Sequence, residues 1–315
     1  MVSTPVNTSS VSKSIAIMGA TATGKSKLAI HLAERFGGEI VSMDSRQVYI
    51  GMDIGTAKVG STERRGIPHH LIDVLRPDEP NSAGMHAARA AGICREIASR
   101  GNLPILAGGT GLYFRALFTG IIDLEVPKDA LARTRKSLEA RDTSDLYQEL
   151  RKRDPERAEM ISPNDRIRIT RALEVIILTG KPMSKHFAEQ ERSLSWEGLK
   201  LVLTAPRDDL RRRIAKRTRE MFDAGWVDEV KKLLDDGYGI DSPGMNSLGY
   251  LEIAKAIIAG RDPFSTLEQV ITLTRQYAKR QETFFRSETG ALWFDVSKKD
   301  CYASVETAVE HHLKL

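Results

Sequence analysis

The chain has 315 residues, with 41% apolar and 28% charged side chains and a formal net charge of +5. That composition belongs to a folded globular protein and excludes a mainly disordered chain. Two cysteines exclude a disulfide scaffold and a cysteine-rich zinc module. The apolar runs are far below the roughly 20 residues of a membrane span. The first thirteen residues read as a short polar tail without a charged-then-apolar leader pattern, so the expected setting is cytoplasmic, away from membranes.

In chain order, residues 14–18 form an apolar run entering a glycine-rich turn and predict a buried strand. Residues 25–36 carry Leu28, Ile30, Leu32, Ala33 and Phe36 at helical spacing and stop at Gly37-Gly38. A second strand is expected over 39–43, ending at Asp44. A helix follows over 82–100, then a strand over 104–107 that runs into Gly108-Gly109. Alternating strands and helices predict a parallel α/β sheet. Residues 129–192 read as helical, with breaks at Asp154-Pro155, Ser162-Pro163 and Gly180-Lys-Pro182. A strand returns over 199–203, residues 208–290 read as helical, and 291–295 as a last strand. The expected architecture is a P-loop parallel-sheet core with helices on both faces, residues 1–122 and 197–315, and a helical insertion over 123–196.

Gly19-Ala20-Thr21-Ala22-Thr23-Gly24-Lys25-Ser26 fits the pattern G-x-x-x-x-G-K-[ST] between a strand and a helix. Its backbone N–H groups can converge on phosphate oxygens at the positive end of a helix. Lys25 can reach a phosphate, and the Ser26 hydroxyl can bind Mg²⁺. The motif marks a nucleotide- or diphosphate-binding site without saying which bond breaks. The usual second strand ending in aspartate is missing here, because 104–107 runs into Gly108-Gly109-Thr110. Asp44, at the end of another strand, is the candidate base; a turn-capping aspartate is the plain alternative. Six basic residues crowd Arg211–Arg219, and Arg275, Lys279, Arg280 and Arg286 form another cluster. Either could be a solvated helix face or a nucleic-acid contact.

Asp44-Ser-Arg-Gln-Val-Tyr49 and Gly51-Met-Asp-Ile-Gly-Thr-Ala-Lys58 resemble the tRNA dimethylallyltransferase family. So do Ile67–Asp73, Gly108–Tyr113, Asn164-Asp165-Arg166 with Arg171–Glu174, Leu248-Gly249-Tyr250 and Arg275–Gln281. Ala20 and Thr23 stand where the family usually has Pro and Ser, at loop positions whose backbone does the binding. The chain resembles the short bacterial form. The resemblance implies that Gly19, Ala20, Thr21, Ala22, Thr23, Gly24, Lys25 and Ser26, with Arg217, hold the diphosphate of dimethylallyl diphosphate. It implies Mg²⁺ as cofactor, a monomer, and an acceptor adenosine beside the anticodon of tRNAs that read codons beginning with U. Asp44 is the implied general base, with Lys25 neutralising the leaving group and Thr110 orienting the acceptor. Contacts to the tRNA anticodon stem-loop fall to Asp44, Ser45, Arg46, Gln47, Thr110, Arg133, Arg168, Arg171, Gly249, Tyr250, Lys279, Arg280 and Arg286. Three rival readings are a P-loop small-molecule kinase, an adenylate isopentenyltransferase acting on free nucleotide, and an RNA-binding protein with a relict cradle.

Overall fold

A computed structural model describes residues 13–121, 127–191 and 198–315. Apart from Lys13, the polar tail lies outside them. So do the ends of the expected insertion.

Six parallel strands form one sheet in the order β3-β2-β4-β1-β5-β6. They are β1 (Ile15–Gly19), β2 (Gly38–Ser42), β3 (His69–His70), β4 (Leu103–Ala107), β5 (Leu199–Thr204) and β6 (Leu292–Asp295). β1 lies at the centre: Ile15 is in register with Ile105 on one side and Leu199 on the other. A strand buried on both faces reads as an unbroken apolar run, and Ile15 to Gly19 is fully buried.

Helix α1 (Lys25–Phe36) and the C-terminal α13 (Cys301–Leu313) cover one face, packing Leu28, Leu32, Val305 and Val309 onto Ile15, Ile17, Ile105 and Leu203. Ala16, Met18 and Leu106 alternate with these and are buried toward the other face. There α2 (Ala83–Ser99) meets β2 and β4, and α12 (Leu267–Phe285) meets β1.

The chain divides into two compact units. One is Arg115–Trp196; the other comprises Ser10–Phe114 and Glu197–Leu315. The division falls inside α3 (Gly111–Thr119), eight residues ahead of position 123. The smaller unit holds α4 (Lys128–Glu139), α5 (Thr143–Arg153), α6 (Pro155–Glu159), α7 (Arg166–Thr179) and α8 (Met183–Glu191). They close over their own core of Leu138, Leu146, Leu150, Ile161, Ile169, Leu173 and Ile176. The helix breaks sit where the proline and glycine signals put them. Asp154 caps α6 by accepting from the Arg157 N–H, and Gly180 ends α7 in the left-handed conformation.

Two stretches depart from the sequence expectation. β3 is a two-residue strand, too short to show any alternation. The helical block after 208 is broken: α9 (Arg207–Asp223) and α10 (Trp226–Asp235) are followed by irregular chain until α11 (Tyr250–Ile258). Gly237, Pro243, Gly244 and Gly249 account for the break. A Cβ on Gly244 would stand 2.9 Å from Met52 Sδ and 3.0 Å from Pro77 Cα.

One buried charge secures the sheet edge. Glu39 on β2 accepts from Arg100 Nη2 at 2.9 Å and Asn102 Nδ2 at 2.8 Å, and contacts His70 Nε2 at 2.7 Å. Burial would raise the carboxyl pKa, but the bonds to Asn102, His70 and Arg100 outweigh it and hold the group at about 2. A depressed carboxylate stabilises the fold above its unfolded value and loses that contribution as pH falls toward the folded one. E39Q should therefore cost on the order of 2–3 kcal/mol at pH 7. It should also flatten the decline in stability between pH 5 and 2. Denaturant midpoints measured across that pH range check both effects.

Candidate active site

The cradle grows out of the central strand because β1 ends in a glycine pressed against its neighbour. Gly19 has φ +144°, and a Cβ there would lie 2.5 Å from the Leu203 carbonyl oxygen. Gly24 takes φ +89° as the cap of α1, and Ala22 holds φ +65°, a left-handed conformation costing a non-glycine residue about 1 kcal/mol. Thr23 Oγ1 donates to Ala20 O at 2.8 Å and ties the loop to itself.

Two charged groups meet over this loop. Lys25 Nζ donates to Ala20 O at 2.8 Å. Desolvation lowers its pKa to about 8, against the pull of the Asp44 carboxylate and with the help of Arg217. Arg217 Nη2 donates to Thr21 Oγ1, and its Nε is buried without a partner among the described residues. Burial lowers its pKa while Asp44 raises it. A desolvated guanidinium held by one hydroxyl is an incomplete arrangement that an anion would complete.

A cavity of about 640 Å³ lies along the cradle, lined by Thr21, Ala22, Gly24, Lys25, Ser26 and Asp44, among others. Arg213, Lys216, Arg217 and Glu220 of α9 also line it, at i, i+3, i+4 and i+7 on one helix face. Sequence reasoning selected Arg217 from this stripe and passed over Arg213 and Lys216. A second cavity of about 320 Å³ shares Thr21, Asp44, Thr56 and Arg217 with the first. Ser45, Arg46, Met221, Trp226, Leu248, Tyr277 and Arg280 contribute to its walls.

Asp44 caps the turn that follows it and faces both cavities. Its Oδ1 caps the next turn, accepting from the N–H groups of Arg46 at 2.8 Å and Gln47 at 3.4 Å. Oδ2 has no hydrogen-bond partner among the described residues, and the residue lines both cavities. Below it, His86 Nε2 bonds to the Ser42 carbonyl at 2.8 Å, and its ring stacks on Tyr113. Burial pushes His86 down to about 4, so a neutral imidazole donates this bond. Neither His86 nor Tyr113 stood out in the sequence as a support for Asp44.

Thr110 Oγ1 accepts from Ser45 N–H at 3.0 Å and is hydrogen-bonded to Tyr277. Burial, then Asp44, raise the Tyr277 hydroxyl to about 12. The glycines around Thr110 are packing requirements. A Cβ on Gly108 would meet Met43 O at 2.1 Å, one on Gly109 would meet Gln281 Nε2 at 2.3 Å, and one on Gly111 would meet the Phe284 ring at 2.2 Å. Gln281 itself is buried. Its Oε1 accepts from Thr21 N–H and its Nε2 donates to Gly109 O, both at 2.8 Å.

Several expected RNA contacts are engaged within the chain. Gln47 Nε2 donates to the carbonyls of Thr56 and Ala57, and its Oε1 accepts from Ser42 Oγ. Arg46 Nη1 donates to Pro243 O at 3.0 Å. Tyr250 is 1% exposed, and its hydroxyl donates to Glu229 Oε1 at 2.5 Å. That carboxylate also receives the N–H groups of Asp53, Ile54 and Gly55. Gly249 lies under Trp226, where a Cβ would be 2.1 Å from the indole. Lys279, Arg280 and Arg286 are exposed on α12 and its cap, and Arg280 lies over the Tyr277 ring. In the helical unit Arg133 pairs with Asp129, Arg168 with Asp165, and Arg171 with the buried Glu174.

Residues 47–288 match the model described as IPP transferase, and residues 12–73 the model described as isopentenyl transferase. The chain is 42% identical over 290 residues to the tRNA dimethylallyltransferase of Geobacter sulfurreducens, covering 91% of this chain and 93% of the relative. It belongs to the IPP transferase family. A second relative, the tRNA dimethylallyltransferase of Heliobacterium modesticaldum, is 44% identical over 288 residues, with 90% of each chain covered. The full-length tRNA isopentenylpyrophosphate transferase of Bacillus halodurans superposes with a TM-score of 0.70 at 35% identity, over 96% of this chain and 98% of that one. A eukaryotic dimethylallyltransferase acting on tRNA gives 0.78 at 30% identity, over 93% and 77%. Within this family frame, the cradle has a titration signature of its own. Lys25 loses its proton near pH 8 in the free protein, and a bound anion would hold the proton on. Affinity for pyrophosphate should fall about tenfold further between pH 7 and 9 in the wild type than in K25R, whose guanidinium stays charged. Calorimetric titration at the two pH values checks this; parallel declines would remove Lys25 from the anion site.

Proposed function

We propose that this protein transfers the dimethylallyl group of dimethylallyl diphosphate to the exocyclic amine of the adenosine 3′-adjacent to the anticodon in tRNA. The products are N6-(dimethylallyl)adenosine and diphosphate, and the tRNAs are those reading codons that begin with U. The observation that carries the reading is the meeting of two cavities at Asp44, Thr21, Thr56 and Arg217: one runs along a cationic cradle, the other has aromatic and apolar walls. The relatives named tRNA dimethylallyltransferase, matched over nine-tenths of this chain, support it.

The chemistry follows from the placement of groups. An exocyclic adenine amine is a weak nucleophile, because its lone pair is delocalised into the ring. The allylic carbon compensates, since its C–O bond can loosen toward a stabilised cation. Lys25, Arg217 and the cradle N–H groups take up the charge that grows on the departing diphosphate, where fixed donors in a desolvated site act most strongly. As the C–O bond breaks and the N–C bond forms, Asp44 Oδ2 accepts the amine proton. Thr110 and Tyr277 hold the acceptor side of Asp44 through Ser45. The target adenosine must leave its stack to reach this point.

The reading implies Mg²⁺ at the cradle. Among the described residues no three His, Cys, Asp or Glu side chains converge on a metal, so protein carboxylates do not form a cage. Ser26 Oγ would be this chain's hold on Mg²⁺, an ion that keeps much of its hydration. When bound, it would supply positive charge to the leaving group. We also infer a cytoplasmic setting and a monomer. No described helix is long and apolar enough to cross a membrane.

Mass spectrometry of nucleosides from tRNA incubated with the protein should show N6-(dimethylallyl)adenosine with dimethylallyl diphosphate and no phosphoryl product with ATP. D44N separates the two roles of the aspartate. Its amide oxygen can still cap the turn, but it cannot take the proton. Single-turnover transfer should slow by about 10²–10⁴-fold while donor binding persists. Slowing of less than about fivefold would reduce Asp44 to its cap and assign the proton to the leaving diphosphate.

A further inference from the structure

In the helical unit, most arginines have acids to answer them. Arg133 pairs with Asp129, Arg135 and Arg171 with Glu174, and Arg141 and Arg153 with Glu149. Arg157 on α6 does not. It is half-buried, its guanidinium lies 5.3 Å from the centroid of the Phe187 ring on α8, and its Nε is buried without a hydrogen-bond partner. No ion pair reaches it among the described residues. Asp154 is the one acid whose charge acts on it appreciably, yet both its oxygens are engaged. Oδ1 accepts from the backbone N–H of Arg157 at 3.2 Å, and Oδ2 from that of Ser184 at 3.0 Å.

More positive charge is brought to the same place. Arg168 from α7 and Arg115 from α3 both act on Arg157, and together with burial they oppose its charged form. A partly desolvated guanidinium among like charges is costly unless something negative completes it. Contact with Phe187 steadies the guanidinium, and its Nη groups, which have no ion pair among the described residues, are left for an oxygen acceptor such as phosphate.

We propose that Arg157, flanked by Arg168 and Arg115 and steadied by Phe187, is a phosphate site on the helical unit that takes one backbone phosphate of the RNA acceptor. The assignment rests on the tRNA reading above. It adds a built contact to the exposed arginines at 133 and 168. Its role is to hold the acceptor; it has no part in the prenyl transfer step.

Binding of a fluorescent anticodon stem-loop to the full chain, measured over a series of salt concentrations, tests the site. R157A should weaken binding about tenfold at moderate salt. It should also reduce the slope of log affinity against log salt by about 0.7–0.9, the release expected for one phosphate. R157K should keep most of the slope and lose about threefold in affinity, because the stacked fork is lost while the charge remains. KM for the stem-loop should rise with kcat unchanged. Wild-type affinity and slope in a folded R157A would overturn the assignment. Should R157A fail to fold, the wild-type Arg157 Nε–H resonance must shift when stem-loop is added, and a fixed resonance would overturn it instead. Saturation by inorganic phosphate without any change in stem-loop binding would make this a free-anion site and end the RNA assignment. If the wild type neither binds the stem-loop nor prenylates it, the tRNA reading itself fails, and this inference fails with it.

Discussion

A single buried amide holds the site together. Gln281 accepts from the cradle at Thr21 and donates to the β4 exit at Gly109, so one side chain of α12 fixes two loops that belong to different strands. Much of the rest follows from that distance being fixed. Gly109 must lack a side chain to admit the amide, and Gly111 must lack one to admit the Phe284 ring from the same helix. Thr274, Tyr277 and Gln281 fall on one face of α12, so the helix that clamps the cradle also lines the second cavity. The Tyr277 hydroxyl reaches Thr110 from that face, and Thr110 in turn receives Ser45 next to Asp44. The cradle and Asp44 are therefore positioned by one element.

The loop from Gly51 to Lys58 is rigid for a different reason. Lys58 is nearly buried; it pairs with Asp53 and Asp73 and donates to Tyr49 O. Glu229 gathers three successive N–H groups from Asp53 to Gly55 and the Tyr250 hydroxyl. A stretch with no regular secondary structure is in this way held at many points. It forms a wall shared by both cavities at Thr56.

What could be read from the chain in advance was local in origin. The cradle declares itself because a strand, a glycine turn and a helix start lie within a dozen consecutive residues, and β1 and α1 fall where their periodicities put them. The helical unit is legible through the breaks at Asp154-Pro155, Ser162-Pro163 and Gly180-Lys-Pro182. Long-range partners were not. Tyr250 in the Leu-Gly-Tyr stretch looks like a surface contact until Glu229 is seen taking its hydroxyl. The amide of Gln47 looks available until Thr56 and Ala57 are seen receiving it. Arg157 carried no signal at all, since its distinction is the absence of an acid that its neighbouring arginines possess. The helical reading across residues 236–249 failed because the constraint there is tertiary, with Gly244 lodged against Met52 and Pro77.

The lysine folded onto its own loop has a consequence for how the cradle meets an anion. In the free state, Lys25 Nζ already has an oxygen partner in the Ala20 carbonyl. An ammonium has three N–H donors, so Lys25 can keep that contact and still offer two to an incoming anion. A diphosphate presents several charges at once, so it can engage the ammonium, the loop N–H groups and the Arg217 guanidinium together. The internal contact thus holds the ammonium over the loop before an anion arrives, so less side-chain freedom is left to lose on binding.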